Sequence, residues 1–306
     1  VVTPRSEEDI VATVREVRER GGTLRPVGMA HSSSPVIATD DTLLDLREWQ
    51  GVIGHDARRG EVTLRAGTSL HEAGIALFSL GLALPNLGDI DQQTVGGAFM
   101  TGTHGTGRAL PILADTLVGG RLVTGEGTVR TFAIEREPEL VAALRVSLGA
   151  AGILTELRLR VVPAFRLRRR EWCTDVGTIL GHFDELAARH RTMDFYWYPR
   201  SDEVKVRTLD PEGADVPAVP NARCVEDRTD WSHRIIPKHR ELRFDEMEYA
   251  VPAEAGLACF REVRERIRAV HRRTVGWRVL VRTIAADGAW LSPAHGRASV
   301  TVSVHQ

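Results

Sequence analysis

Residues 25–34 read RPVGMAHSSS and lie at the end of a short apolar segment that predicts a strand over residues 23–28. The chain then turns at Gly28 and places His31 directly before three serines. Glycine and serine are frequent in ordinary surface loops, so a simple connection is one interpretation of this stretch. A longer glycine run further along the chain favours a second interpretation, in which the loop binds a ligand.

That longer run is NLGDIDQQTVGGAFMTGTHGTG, residues 86–107, in which glycines alternate with threonines. Glycine costs backbone entropy, and this cost is useful where main-chain amides must approach an anion closely. A pyrophosphate is the group that fits best. The run matches neither the Walker pattern GxxxxGK[ST] nor the Rossmann pattern GxGxxG. A loop in which glycine only permits turns is the structural alternative.

The overall composition is that of a globular protein without a strongly charged partner. Of 306 residues, 42% are hydrophobic, and 40 basic against 41 acidic residues leave a formal charge of −1. We therefore expect no nucleic-acid partner, and no apolar run is long enough to cross a bilayer. The three cysteines form no CxxC pair, so we expect no metal site, no disulfide framework and a cytoplasmic, reducing compartment.

Hydrophobic periodicity predicts a mixed chain with a boundary near residue 163. The predicted helices cover residues 6–20, 69–81, 138–150, 177–190 and 252–273. The predicted strands cover residues 23–28, 42–46, 61–67, 153–162, 194–199, 242–252, 279–285 and 298–304, with a hairpin over 117–133. A loop-like stretch with Pro211, Pro217 and Pro220 is expected after residue 199, and the basic run 166–170 is expected to be a solvated strand end.

Three motifs in order carry a family resemblance: PVGMAHS at 26–32, the glycine run at 86–107, and SLGAAGILTELRLRVVP at 147–163. Together they resemble the FAD-binding domain of the vanillyl-alcohol-oxidase-type (PCMH-type) flavoproteins, in the branch of the aldonolactone and alditol oxidases. FDEMEYAVP at 244–252 and VRTIAADGAWLSPAHGR at 281–297 extend the match over nearly the whole chain. The resemblance implies an α+β fold. A two-subdomain FAD-binding domain over residues 1–163 would precede an α/β substrate (cap) domain with an antiparallel sheet over residues 164–306.

The resemblance also implies FAD as the cofactor and His31 as the residue covalently attached to it. A loop histidine satisfied by neighbouring hydroxyls is the alternative role for His31. His104 is expected to be structural or to face the cofactor. The full set of expected FAD-contacting residues is Val27, Gly28, Met29, Ala30, His31, Ser32, Thr94, Gly96, Gly97, Gly102, Thr103, His104, Gly105, Gly149, Gly152 and Ile153.

The implied reaction is hydride transfer from a CH–OH group of a sugar lactone, alditol or related polyol to flavin N5. Oxygen is the expected acceptor, giving hydrogen peroxide. The family supplies a Glu-x-Arg pair for this chemistry, and here Arg282 is present whereas Leu280 occupies the glutamate position. Leu280 is therefore expected to remove a carboxylate from beside Arg282, so that another group is the base or the substrate differs. His305 is a second candidate catalytic residue, with an ordinary strand histidine as the alternative.

Three further expectations concern the substrate domain. The aromatic residues 195–198 would either line a sugar pocket or form part of the core. The family continues past a strand like TVSVHQ into a Trp-Gly-Lys segment, so the substrate domain is expected to be incomplete at its C-terminal end. An FAD dehydrogenase with another electron acceptor, and a flavin- or sugar-binding protein without turnover, are the alternative functions.

Overall fold

The computed structural model describes residues 1–237 and 244–306, which form two compact units. Unit 1 comprises residues 1–103, 113–164 and 288–292, and unit 2 comprises residues 104–112, 165–287 and 293–306. The main change of unit along the chain falls between Ala164 and Phe165. A single boundary at residue 163 would place residues 104–112 in the first domain and residues 288–292 in the second. The structure instead assigns residues 104–112 to unit 2 and residues 288–292 to unit 1.

Unit 1 combines four helices with a five-stranded antiparallel sheet and two short strand pairs. The helices are α1 (Glu7–Glu19), α2 (Leu70–Ser79), α3 (Val95–Met100) and α4 (Pro138–Arg145). The strands are β1 (Leu24–Val27), β2 (Thr42–Asp45), β3 (Val52–Asp56), β4 (Glu61–Arg65), β5 (Leu82–Ala83), β6 (Leu117–Val123), β7 (Val129–Ala133), β8 (Ile153–Arg160) and β9 (Val162–Pro163). The sheet order is β3-β4-β8-β6-β7, while β1 pairs in parallel with β2 and β5 pairs with β9.

Helix α1 shows how local sequence signals produce an element of unit 1. Ser6 accepts a hydrogen bond from the amide of Asp9, and the Asp9 side chain accepts one from the Ser6 amide, which is a capping box. The apolar stripe of α1 is buried against a cluster that includes Leu44 and Trp49. The helix predicted over residues 138–150 ends earlier, at Arg145, because Val146 leaves the helical conformation with φ of −140° and ψ of 85°.

Unit 2 is built on one seven-stranded antiparallel sheet with the order β13-β10-β12-β11-β15-β16-β14. Its strands are β10 (Arg166–Asp175), β11 (Thr192–Trp197), β12 (Glu203–Pro211), β13 (Arg223–Trp231), β14 (Glu246–Pro252), β15 (Arg278–Ile284) and β16 (Ser299–His305). Its helices are α5 (Val176–Arg189), α6 (Ser232–Ile235) and α7 (Gly256–Arg266), and α7 continues as a π-helical turn over Ile267–His271. The expected antiparallel sheet is confirmed.

The two faces of this sheet have opposite character because side chains alternate along each strand. One face is apolar and packs against α5 and α7, with Phe195 and Phe260 in edge-to-face contact at 5.0 Å between ring centroids. The other face carries polar and charged side chains that are nevertheless buried: Glu171, Asp194, Arg207, Arg278, Arg282, Ser303 and His305. The second face positions the candidate catalytic residues.

Three sequence-based expectations about unit 2 are corrected by the structure. The loop-like stretch expected after residue 199 contains β12 and β13; Pro211 is the last residue of β12, and Pro217 and Pro220 lie in the irregular segment between the two strands. The basic run 166–170 is not a solvated end, because Arg169 and Arg170 are buried beside the carboxylates of Glu171 and Asp210. The strand predicted over 242–252 begins at Glu246, and its first two residues, 242 and 243, lie outside the described residues.

Among the residues that the structure describes, no helix has the length and apolar character needed to span a membrane. Within the same ranges, no group of three or more histidine, cysteine, aspartate or glutamate side chains could hold a metal ion.

Candidate functional site

Unit 1 contains a cleft at the point where β1 ends. The walls are the loop after β1, the start of α3 and the turn that leads into β8. The cleft is lined by residues 24–32, Val36, Ile37, Leu46, Ala66, Gln93, Thr94, Gly96, Gly97, Met100, Thr101, Leu148, Gly149, Gly152, Ile153 and Leu154.

The loop over residues 28–32, which lines this cleft, contains a row of free amides. Within the described part of the chain, none of these five amides donates to a backbone or side-chain acceptor. Ala30 adopts a left-handed backbone conformation with φ of 52°. Successive amides around such a turn form a concave anion site, so this donor set fits a diphosphate.

Glycines hold the walls of the cleft in close contact. A Cβ atom on Gly28 would lie 2.2 Å from Thr94 Oγ1, and one on Gly152 would lie 2.6 Å from the carbonyl oxygen of Val123. Gly152 also has a φ of 131°, a conformation that other residues rarely adopt. Thr94 in turn caps α3, because its Oγ1 accepts a hydrogen bond from the Gly97 amide at 3.2 Å. Both loop regions singled out from the sequence therefore meet in one cleft.

Most of the residues predicted to contact FAD line this cleft. They are Val27, Gly28, Met29, Ala30, His31, Ser32, Thr94, Gly96, Gly97, Gly149, Gly152 and Ile153. His31 is exposed, and its side chain makes no hydrogen bond to the described residues. The other four predicted residues, Gly102, Thr103, His104 and Gly105, lie outside the lining, because α3 ends at Met100 and the chain reverses at Gly102 with φ of 68°.

A second candidate site lies on the polar face of the sheet in unit 2 and centres on Glu248 of β14. The Oε1 atom of Glu248 lies 2.7 Å from Nε2 of His104. Its Oε2 atom accepts hydrogen bonds from the guanidinium of Arg282 and the hydroxyl of Ser303. Arg282 Nη1 also donates to the carbonyl oxygen of His104 at 3.4 Å. His104 therefore belongs to this cluster in unit 2.

Leu280 leaves β15 without a carboxylate beside Arg282, but Glu248 supplies one from another strand. In the sheet register, Ser303 of β16 pairs with Leu280 on one side and with Glu248 on the other. Burial opposes ionisation of Glu248, but the charges of Arg282 and His104 and the hydrogen bonds from His104 and Ser303 outweigh it and hold the pKa of this carboxyl well below its ordinary value. Glu248 therefore stays ionised at neutral pH.

His305 lies in the next polar row of the same sheet face and is almost fully buried, with 1% of its surface exposed. Its Nδ1 accepts a hydrogen bond from Arg278 Nε at 3.0 Å, and its Nε2 lies 3.1 Å from a carboxylate oxygen of Glu246. Burial raises the pKa of Glu246, but the hydrogen bond with His305 and the charge of Arg282 lower it by more. Both ring nitrogens of His305 thus face side chains.

Aromatic rings contact Arg278, which shares a row of the sheet with His305 and Glu246. The guanidinium of Arg278 lies 4.3 Å from the ring centroid of Tyr196 and 4.2 Å from that of Trp277. Of the aromatic run 195–198, Phe195 and Trp197 lie in the apolar core, whereas Tyr196 is on the polar face.

Sequence reasoning missed Glu246 and Glu248. The available signal was the alternation E-M-E-Y on β14, in which the two carboxylates share one face of the strand and Met247 and Tyr249 are exposed. Pairing with Arg282 depends on β16 lying between β14 and β15, which no local pattern reveals.

Comparisons with known proteins place both units in one family. A model of the FAD binding domain matches residues 1–133, and the D-arabinono-1,4-lactone oxidase model matches residues 157–220 and 216–306. The L-gulono-1,4-lactone dehydrogenase of Mycobacterium tuberculosis is 30% identical over an alignment of 348 residues, which covers 100% of this chain and 79% of that protein. The D-arabinono-1,4-lactone oxidase of Eremothecium gossypii is 36% identical over 200 residues, or 64% of this chain and 38% of that protein.

The fold is also found in a solved structure of low sequence identity. The cholesterol oxidase of Brevibacterium sterolicum superposes with a TM-score of 0.84 at 16% identity, over 99% of this chain and 76% of that one. The expected α+β fold and the family suggested by the three motifs are confirmed, and the free amides and close glycines of the cleft fit FAD. The chain therefore belongs to the aldonolactone oxidase branch of the vanillyl-alcohol-oxidase-type FAD-binding flavoproteins and is an FAD-dependent oxidoreductase.

Proposed function

We propose that this protein oxidises a CH–OH group of a sugar-derived lactone, with FAD held in the cleft of unit 1. The observation that carries the proposal is the cleft itself, where five unpartnered amides and closely packed glycines suit a diphosphate. The names of the relatives support a lactone as the substrate, since one of them, a lactone dehydrogenase, aligns with the whole chain. Bound FAD would supply the hydride acceptor.

The loop residues of the cleft have two proposed roles. The amides of residues 28–32 would hold the pyrophosphate, and the Ser32 hydroxyl would add a donor. His31 would form the covalent link to the cofactor, which is supported by its exposed ring in the cleft lining. A histidine that is already hydrogen-bonded would be a poorer candidate for such a link.

Arg282 is the proposed catalytic residue. A guanidinium keeps its positive charge at all working pH values and presents several donors in a fixed plane. Such a group stabilises the negative charge that develops on the carbinol oxygen as its proton leaves. His305 is proposed to position Arg278 and Glu246 rather than to accept the proton, because both of its ring nitrogens already face those side chains.

The electron acceptor defines two versions of this function. Oxygen, giving hydrogen peroxide, is the acceptor in the version we favour, in line with the lactone oxidases among the relatives. A dehydrogenase is the second candidate, because the relative that aligns with the whole chain is named a dehydrogenase. A cytoplasmic location is part of the proposal, and it is supported by three cysteines that are all free thiols.

The test begins with the cofactor. Purified protein is precipitated with acid, and flavin absorbance is compared in pellet and supernatant for wild type, His31→Ala and, as a control, His55→Ala on exposed strand β3. Flavin that stays in the pellet for wild type and His55→Ala, but not for His31→Ala, supports the covalent link. Release of flavin from all three proteins contradicts it. Protein without any flavin contradicts the assignment of the cleft.

Substrate and acceptor are then separated by two assays. Anaerobic mixing with sugar lactones, alditols and simple alcohols should bleach the flavin absorbance with lactones. Failure of every lactone to reduce the flavin contradicts the proposed function. With an active lactone, peroxide release in air supports the oxidase, and turnover only with an artificial acceptor supports the dehydrogenase.

A further inference from the structure

We infer that Glu248 of β14 is the positioning residue of Arg282, which it contacts across the intervening strand β16. The inference rests on the proposed function, since it assigns a role in the oxidation for which Arg282 is proposed.

The first argument is the number of donors that converge on this one carboxylate. One oxygen of Glu248 faces His104, and the other accepts hydrogen bonds from Arg282 and Ser303. Three donors on two oxygens leave the carboxylate little freedom to rotate. Because the guanidinium of Arg282 also contacts the His104 carbonyl oxygen, its plane is held from two directions.

The second argument is burial. Arg282 is 9% exposed and His104 is 6% exposed, so neither group is well solvated. A buried guanidinium is stable only beside an opposite charge, and removing that charge leaves the cation poorly compensated. Glu248 is the carboxylate that bonds directly to Arg282, and Glu246 in the next row adds a second negative charge. The pKa of Glu248 is held low, which makes it a weak base and favours a positioning role over proton transfer.

The third argument is the register of the sheet. Leu280, Ser303 and Glu248 form one row across β15, β16 and β14, and all three side chains lie on the polar face. Residue 280 also precedes Arg282 by two positions on the same strand, so a carboxylate there would lie beside Arg282 on the same face. Position 280 is thus an alternative location for the carboxylate.

The experiment compares Glu248→Gln with the double variant Glu248→Gln/Leu280→Glu. The amide keeps the size of the side chain and removes its charge, which avoids a cavity. Glu254→Gln is the matched control, because this glutamate lies just after β14 on an exposed turn. All proteins are loaded with FAD, and the rate constant of flavin reduction, kcat and KM are measured with an active lactone across pH.

We expect Glu248→Gln to lower the rate constant of flavin reduction by about 10- to 100-fold, with a change in KM of less than about threefold. FAD content should equal that of wild type, and Leu280→Glu should restore at least part of the lost rate. A Glu248→Gln variant with wild-type rate constants at every pH would overturn the inference.

A second measurement needs no substrate. A double-mutant cycle of urea unfolding combines Glu248→Gln with Arg282→Gln, and we expect strongly non-additive losses of stability. Additive losses would overturn the pairing. If no lactone reduces the wild-type flavin, the proposed function fails, and this cycle still tests whether Glu248 holds Arg282.

Discussion

At the scale of single residues, Gly28 shows how one absent methyl group shapes the cofactor cleft. A Cβ atom at this position would lie 2.2 Å from the Thr94 hydroxyl oxygen, well inside contact distance. Gly28→Ala should therefore push the loop away from α3 and lower FAD content by at least about tenfold. Flavin absorbance per protein after purification measures this, with Gly54→Ala as the control, because a Cβ atom there meets nothing within 4 Å. Full FAD loading of Gly28→Ala would contradict the assigned contact.

Arg282 gives the second prediction at this scale. Arg282→Ala should reduce the rate constant of flavin reduction by about 10²-fold or more, because a donor to the developing charge is lost. Arg282→Lys keeps the charge but loses the planar fork, so we expect an intermediate loss. FAD content should be unchanged in both variants. Stopped-flow measurements of anaerobic reduction test this, and wild-type kinetics in Arg282→Ala would remove the residue from the mechanism.

Sequence motifs identified residues that share one cleft where local backbone geometry determines their place, and the contact of these residues with FAD stays a prediction. The loop at 27–32 and the glycines at 96, 97, 149 and 152 line one cleft because their roles depend on local geometry. The motifs did not reveal the carboxylate beside Arg282, because it lies on β14, which β16 separates from β15 in the sheet. They also could not assign His104, which sits in the glycine run but bonds to Glu248.

At the scale of elements, the apolar side of the large sheet depends on how α7 packs. Phe260 of α7 is fully buried, and its ring meets those of Phe195 and Trp197 edge to face, at 5.0 Å and 6.1 Å. Phe260→Ala should lower the free energy of unfolding by about 3–5 kcal/mol, because it removes these contacts and leaves a cavity. Urea unfolding followed by tryptophan fluorescence measures the change.

The control for this prediction is Val270→Ala, on the turn that follows α7. Val270 is 58% exposed, so the same kind of truncation should change stability by less than about 0.5 kcal/mol. Equal losses in the two variants would show that α7 is not held by its aromatic contact.

Element prediction from the sequence succeeded for amphipathic helices and alternating strands. Helix α1 begins after the predicted N-cap Ser6 and buries the predicted apolar stripe. The hairpin of β6 and β7 lies where its turn residues indicate. The strands β12 and β13 were missed because Pro211 ends β12 and Pro217 and Pro220 lie between the two strands, a pattern that is typical of a loop. Strand β12 nevertheless forms, because both of its edges pair, one with the preceding strand β11 and the other with β10, which lies further back in the chain.

At the scale of the whole molecule, several carboxyl groups make stability depend on acid pH. Hydrogen bonds from Arg121, Arg47 and Arg264 are the largest causes that lower the pKa values of Glu7, Asp45 and Asp202. A carboxyl whose pKa is lower in the folded state contributes stability above its ordinary pKa and loses it as the pH falls. Glu248 contributes in the same direction.

We therefore expect the free energy of unfolding to be steady near neutral pH. It should fall once the pH drops below the ordinary carboxyl range of 3.8 to 4.5 and through the lowered values. Glu156 opposes this trend, because burial raises its pKa and its ionisation costs stability at neutral pH. Urea unfolding between about pH 7 and about pH 3 measures the slope. Higher stability at about pH 3 than at about pH 7 would contradict the assigned pairs.

The path of the chain through the two units has a consequence for how the protein is made. Unit 1 includes residues 288–292, where the Trp290 amide donates to the carbonyl oxygen of Ala142, and unit 2 includes residues 104–112, where the Gly107 amide donates to Thr283. On the ribosome, unit 1 thus cannot be completed until synthesis has passed Ser292, long after the strands of its sheet have been made. The nascent protein must carry an unfinished cofactor domain throughout the synthesis of most of unit 2. A gene cut at residue 164 would deprive both products of a segment that belongs to them.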